Sequence, residues 1–257
     1  MATYLDRILE AHRAAAASDS RPVDKLVAEA QQAPAARPFR AALPGEGIAV
    51  IAEVKRRSPS KGDLAPHLEP AILAKDYAAG GAACLSVLTD EEFFGGSTAD
   101  LQAARAAVDV PVLRKDFTVS EANVCDARLM GADAVLLIVA ALDDEELLAF
   151  RALAGELDLA ALVEVHDEAE VERAIDAGAD LIGVNQRDLT TFEVDRERAL
   201  RVAGRIPHGV VRVAESGIRD AHDAAGLRAA GYDAILVGET LVTAGDPAAA
   251  VRELTCS

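Results

Sequence analysis

The sequence predicts an α/β protein, a (β/α)8 TIM barrel with an N-terminal helical extension, and three observations lead there. Eight short apolar runs recur along the 257 residues, Ala-rich amphipathic segments separate them, and several of those segments end in one Gly-centred phrase. The runs are Gly47 to Lys55, Ala82 to Thr89, Val110 to Lys115, Ala134 to Val139, Ala160 to Val165, Leu181 to Asn185, Val210 to Glu215 and Ala234 to Gly238. Short apolar runs between helical patterns read as parallel strands buried on both faces. Eight such units fit a closed barrel better than a doubly wound sheet, which usually has fewer strands and a Gly-rich first turn. G-x-G-x-x-G and Walker A sequences are both absent.

Residues 1–46 precede the first run, and residues 1–257 read as one barrel domain carrying that extension. Helical patterning covers Tyr4 to Ala17 and Val23 to Gln32, after which Pro34, Pro38 and Pro44 punctuate the chain. Leu5, Ile8 and Leu9 suit a helix that covers the barrel. The first run then alternates with period two: Ala49, Ile51, Glu53 and Lys55 share one face, and Ile48, Val50, Ala52 and Val54 the other. Helical segments follow at Pro70 to Ala79, Ser97 to Val108, Ser120 to Met130, Asp143 to Glu156 and Glu168 to Ala177. The recurrent phrase appears as Met130-Gly131-Ala132-Asp133, Ala177-Gly178-Ala179-Asp180 and Ala230-Gly231-Tyr232-Asp233. Its glycine stops a helix in the left-handed conformation and turns the chain into the next strand, so the phrase marks repeated units and not a ligand site.

Composition narrows the partners. Hydrophobic residues make up 51% of the chain and aromatics only 4%, so Ala, Val, Leu and Ile must build the core. A net charge of −17 would repel nucleic acid and anionic membranes, which excludes both as expected partners. Cys84, Cys125 and Cys256 are far apart and in no CxxC spacing, so reduced thiols are expected in place of a disulfide framework or zinc site. The five histidines, His12, His67, His166, His208 and His222, match no HxH or HExxH spacing, so no metal is expected; His166, two after Glu164, reads as a poor ligand. The N-terminus lacks a signal-peptide core and no long uninterrupted apolar stretch occurs, giving a cytoplasmic reading with no obligate protein partner evident.

Polar residues enter the apolar runs at one end only. Glu53 and Lys55 close the first, Lys115 shares the face of Leu113 in the third, Glu164 that of Leu162 in the fifth, Asn185 that of Gly183 in the sixth and Glu215 that of Val213 in the seventh. A solvated strand end accounts for one such run but poorly for five. In a barrel mouth they would be partly desolvated and mutually coupled, which equips them for general acid/base chemistry. The loop Ser58-Pro59-Ser60-Lys61-Gly62, together with Arg56, Arg57, Arg114 and Arg187, concentrates cations and hydroxyls for an anion. The turns at Ser216-Gly217 and Gly238-Glu239 resemble barrel phosphate grips, with Glu239 an odd neighbour for an anion unless only its N–H is used.

With these residues in hand, the chain closely resembles indole-3-glycerol phosphate synthase. The likeness runs through IAEVKRRSPSKG (51–62), LSVLTDEEFFGGS (85–97), PVLRKDF (111–117), GADAVLLIVAAL (131–142), LVEVHDE (162–168), IGVNQRDLTTFEVD (182–195), AESGI (214–218) and DAILVGETL (233–241). The resemblance implies a phosphorylated small-molecule substrate, 1-(2-carboxyphenylamino)-1-deoxyribulose 5-phosphate, closed to an indole with loss of carbon dioxide and water and without a cofactor. It implies Lys115 as general acid, Glu164 as partner in the dehydration, and Lys55 as a contact for the substrate carboxylate that also moves a proton. It further implies Glu53 and Asn185 orienting sugar hydroxyls, and Glu215 as a further carboxylate of the lysine network. Ser58, Ser216, Gly217, Gly238 and Glu239 fall at phosphate positions, Arg187 would neutralise charge nearby, and Phe94, Phe117 and Leu136 would wall the aromatic ring. Gln186 and Thr98 depart slightly from the pattern. A sister barrel, phosphoribosylanthranilate isomerase, would need a Cys and an Asp at strand ends, whereas Cys84 lies deep in its run. A catalytically silent scaffold barrel would lack Lys115 or Glu164.

Overall fold

The computed structural model describes residues 3–58 and 61–256, so Pro59 and Ser60 of the proposed anion loop lie outside the described residues. Eight parallel strands close on themselves: β1 (Ala49–Val54), β2 (Cys84–Leu88), β3 (Val112–Lys115), β4 (Ala134–Ile138), β5 (Ala160–Val165), β6 (Leu181–Asn185), β7 (Val211–Glu215) and β8 (Ala234–Val237), with β8 pairing back onto β1. Each expected run contains one strand. The alternation in β1 holds: Ala49 and Ile51 face the barrel interior with Leu113, Leu162 and Val213, while Val50, Ala52 and Val54 face the surrounding helices.

Local chemistry sets the helix boundaries. Ser97, Ser120, Asp143, Asp167, Asp220 and Asp246 each accept the N–H three residues on, starting α4 (Thr98–Ala107), α5 (Glu121–Leu129), α6 (Asp144–Glu156), α7 (Glu168–Asp176), α9 (Ala221–Ala229) and α11 (Pro247–Thr255). The helix α3 (Pro70–Ala79) instead starts on a proline, whose missing N–H is no loss there. Short helices α8 (Arg198–Val202) and α10 (Glu239–Val242) complete the ring. Gly131, Gly178 and Gly231 are left-handed, at φ +95°, +77° and +91°, as the recurrent phrase requires. Its aspartates bind structure: Asp133 accepts the backbone N–H of Val112 at 2.9 Å, and Asp233 that of Arg212 at 2.9 Å.

The N-terminal extension does more than cover one face. α1 (Tyr4–Ser18) packs Tyr4, Leu5, Ile8 and Leu9 into the apolar cluster that contains Phe93 and Phe117 at the C-terminal end of the barrel. α2 (Val23–Ala30) runs down the outside against α5. The chain then crosses the opposite end, where Phe39 and Leu43, both about 1% exposed, plug the barrel floor. Arg40 fastens this plug by donating to the carbonyls of Asp180 at 3.1 Å and Gly209 at 3.0 Å, just before β6 and β7. Cys84 lies buried at that floor, its thiol against the Phe39 carbonyl. No helix among the described residues is long and apolar enough to cross a membrane.

Candidate active site

The six candidate acid/base residues and the nine candidate substrate contacts border one cavity of about 320 Å³ at the C-terminal ends of the strands. Its floor is a layer of charge standing on a layer of hydrocarbon. Glu53, Lys115, Glu164 and Glu215 each sit two residues beyond an interior apolar side chain on the same strand, respectively Ile51, Leu113, Leu162 and Val213. Lys115 Nζ is the hub, 2.7 Å from Glu164 Oε2 and 3.2 Å from Glu215 Oε2. Asn185 Nδ2 donates to Glu164 Oε1 at 3.0 Å, and Lys55 pairs with Glu53.

Two lysines and three carboxylates share this layer, and their environments drive the two carboxylates on Lys115 apart. Burial opposes charge on Glu164, but Lys115, His166 and the Asn185 amide outweigh it and hold the carboxyl well below its ordinary range. Glu215 has Lys115 alone, and its Oε1 has no hydrogen-bond partner among the described residues. Burial and the charge on Glu164 therefore raise Glu215 to about 7 despite Lys115. Burial would neutralise Lys115, yet Glu164, Glu215 and Glu53 raise its pKa and keep it an ammonium. A charged acid, an ionised base and a carboxyl that titrates near neutrality thus lie in one constellation.

Several cations point elsewhere than the sequence reading placed them. Arg56 leaves the anion loop to grip Asp100 with both terminal nitrogens, and Arg57 donates to the carbonyls of Glu91, Glu92 and Phe93. Arg56 thus ties the loop after β1 to the first turn of α4, and Arg57 ties it to the loop after β2. Arg114 alternates with Lys115 and so faces outward, bonding Thr89, Asn123 and Asp116. Arg187 does border the cavity, with Nη1 donating to the Phe192 carbonyl. Lys61 meets Glu239 at 3.3 Å, so the Glu239 side chain turns to that lysine. Ser58 lies in a two-residue antiparallel pairing with Gly62.

The Ser216-Gly217 turn does not enter a helix directly, since α9 begins only at Ala221. Both residues are left-handed, at φ +67° and +75°. Gln186 steadies the turn by donating to the Ser216 carbonyl at 2.7 Å. Gly238 serves a steric need as well: a Cβ there would overlap Glu53 Oε1. Phe94 and Phe117, with ring centroids 6.5 Å apart, and Leu136 form an apolar wall.

The sequence reading missed three features. Gly183 leaves room for Glu215, whose Oε1 would overlap a Cβ on it, and only the β6–β7 register reveals this. Arg196 borders the cavity and donates to the Gly217 carbonyl at 3.2 Å. His12 of α1 reaches Asp90 at 2.8 Å and lies 3.9 Å from Asp116. Those three side chains could offer donors to a cation, but each carboxylate already has partners: Asp90 takes the N–H groups of Phe93 and Phe94, and Asp116 takes Thr89 and Arg114.

A family model described as indole-3-glycerol phosphate synthase matches residues 5–254. The chain belongs to the indole-3-glycerol phosphate synthase family. Among its relatives, the indole-3-glycerol phosphate synthase of Streptomyces griseus subsp. griseus is 54% identical over 99% of this chain and 96% of its own. That of Mycolicibacterium vanbaalenii is 52% identical over 98% and 94%. More distant solved structures share the fold alone. A thiamine phosphate pyrophosphorylase from Pyrococcus furiosus matches with a TM-score of 0.61 at 19% identity, over 84% of this chain and 95% of that one. A 3-hexulose-6-phosphate synthase matches with a TM-score of 0.64 at 17% identity, over 81% and 99%. Membership in the synthase family joins a reaction class to a cavity with a charged floor and an apolar wall.

Proposed function

We propose that this chain is an indole-3-glycerol phosphate synthase, closing 1-(2-carboxyphenylamino)-1-deoxyribulose 5-phosphate to indole-3-glycerol phosphate with release of carbon dioxide and water. The observation that carries this is Lys115, a buried ammonium between an ionised Glu164 and a near-neutral Glu215 in a cavity with an apolar wall. Lys115 donates a proton to the ketose carbonyl oxygen as the ring carbon bearing the carboxylate attacks the carbonyl carbon. That carboxylate then leaves as carbon dioxide, and its bonding pair restores the aromatic ring. The nitrogen pair next expels the new hydroxyl, protonated by Lys55, as water; Glu164 removes a proton from the adjoining CH2. Glu215 returns a proton to Lys115.

The remaining residues hold the two ends of the substrate. Ser58, Ser216 and Gly217, with the N–H groups of Gly238 and Glu239, take the phosphate, and Arg187 offsets the negative charge. Glu53 and Asn185 orient the hydroxyls, and Phe94, Phe117 and Leu136 flatten the ring into a position for attack. Nothing in this sequence of steps needs an electron sink, since charge develops on one oxygen beside one ammonium. The substrate is small and soluble, and the cytoplasm is the compartment we assign.

Supplying that substrate and following indole fluorescence tests the assignment. Wild-type protein should form product, and Lys115→Ala should lose about 10²–10⁴-fold in kcat, the range for a positioned general acid. A silent wild type, or an undiminished variant, would overturn it.

A further inference from the structure

Directly behind Glu164 stands a histidine that the mechanism above does not use. His166 continues the inward parity of Leu162 and Glu164 just beyond β5, and its side chain is 13% exposed. It is not among the residues bordering the cavity. Its Nδ1 lies 3.1 Å from Glu170 Oε2, and the same oxygen accepts the His166 backbone N–H at 2.7 Å. Glu170 is itself fixed in the first turn of α7, its N–H donating to Asp167. On the other side of the ring, Nε2 is buried without a hydrogen-bond partner among the described residues and lies 3.6 Å from Glu164 Oε1. One imidazole therefore lies between two carboxylates.

Neither neutral tautomer fits this arrangement. With the proton on Nδ1, the Nε2 lone pair faces Glu164; with it on Nε2, the Nδ1 lone pair faces Glu170. Only the imidazolium presents an N–H to each. Burial opposes that charge, as does Arg198 on α8, but the Glu170 hydrogen bond and the fields of Glu164 and Glu170 outweigh them and raise the ring above its ordinary value.

We propose that His166 is a positioning residue of this site, an imidazolium that bridges Glu164 to Glu170 and keeps Glu164 ionised and aimed while Lys115 gives up its proton. The inference rests on reading Glu164 as the proton acceptor. Its logic is the timing of charge. Before the first step, Lys115 neutralises Glu164 across 2.7 Å. Once Lys115 has protonated the substrate oxygen, Glu164 is a buried carboxylate whose main cation has gone, and it would capture a proton before the CH2 proton is ready to leave. A second cation behind it, shielded from the cavity, prevents that capture. Glu170 in turn stops His166 from passing its own proton forward.

Two measurements test this together. The first is an NMR titration of the free protein, with the His166 signal assigned by its absence in His166→Gln. The ring should titrate above the ordinary imidazole range, and Glu170→Gln should bring its midpoint down by about one pH unit. The second is the pH dependence of kcat. It should fall as pH rises through the midpoint found for His166, and that inflection should move with Glu170→Gln. In His166→Gln that inflection should vanish, leaving only the fall set by ionisation of Glu215 at about 7, and kcat should drop about tenfold, equal to about one unit of acceptor ionisation, with KM held because the ring does not meet the cavity. A midpoint at or below the ordinary value, or a kcat profile that ignores both variants, overturns the proposal. If His166→Gln does not fold, Glu170→Gln decides through both readouts. Should the wild type form no indole, the function above falls, and the titration still decides whether the ring bridges the two carboxylates.

Discussion

Glu215 is the residue at which this cavity strains the fold, and Glu215→Gln measures how much. The folded chain raises this carboxyl from 4.5 to about 7, chiefly by burial, with the charge on Glu164 adding to it against the pull of Lys115. The unfolded chain leaves it near its ordinary value. Between those two pH values the folded state therefore binds the extra proton, so stability falls as pH rises through the window and levels off above it. A rise from 4.5 to about 7 corresponds, at about 1.4 kcal/mol per unit, to a cost of about 3 kcal/mol on the alkaline plateau.

Glutamine keeps the shape and cannot ionise, so the variant escapes that cost. Urea unfolding followed by far-UV circular dichroism should show the two proteins nearly equal at about pH 4.5, with the variant ahead by about 3 kcal/mol at about pH 8. In thermal melts the alkaline difference should be about 6–12 °C for a chain of this size. The variant should turn over more slowly, because Glu215 can no longer return a proton to Lys115. A stability difference that is the same at both pH values, or a variant weaker than wild type at the higher one, would refute the reasoning.

Gly183→Ala should cost activity while Gly204→Ala does not, since a Cβ at Gly183 overlaps Glu215 Oε1 and one at Gly204 meets open space; steady-state kinetics on both separates steric displacement from a general glycine effect. Phe39→Ala should destabilise the chain by about 3–5 kcal/mol in urea, the usual cost of emptying a fully buried aromatic site. Arg56→Ala should raise KM more than it lowers kcat, because the guanidinium anchors the anion loop to Asp100 and does not reach the reacting atoms; separate kcat and KM values check this.

Much of the site was legible because a barrel strand obeys a period of two. Glu53, Lys115, Glu164, Asn185 and Glu215 are each the place where an inward apolar parity breaks, and the breaks fall at one end. Parity reaches further residues as well: Arg114 lies between two inward residues and so has to face out, while His166 continues the inward series past Glu164. Arg56 and Arg57 follow the end of β1, where parity lapses, and their partners lie in α4 and in the loop after β2. Gly183 was opaque for another reason. Its neighbour Glu215 belongs to the next strand, and only the observed stagger of β6 on β7 shows that one needs the other's missing Cβ. The extension was legible as covering helices, but the Phe39 plug was not, because a proline-rich segment without periodicity reveals neither its path nor its target.

That plug bears on the chemistry although it is at the far end of the barrel. The charged layer rests on Ile51, Leu113, Leu162 and Val213, and Phe39 and Leu43 belong to the same interior cluster beneath them. Water kept out from below leaves the carboxylates solvated only through the cavity, and burial is the largest influence on Lys115, Glu164 and Glu215 alike. The raised pKa of Glu215, and with it the proton we propose it supplies, thus depends on hydrocarbon at the barrel floor as well as on the charges beside it. An opened floor would admit water, relax Glu215 toward its ordinary value and move the working pH of the site without touching a residue that meets the substrate.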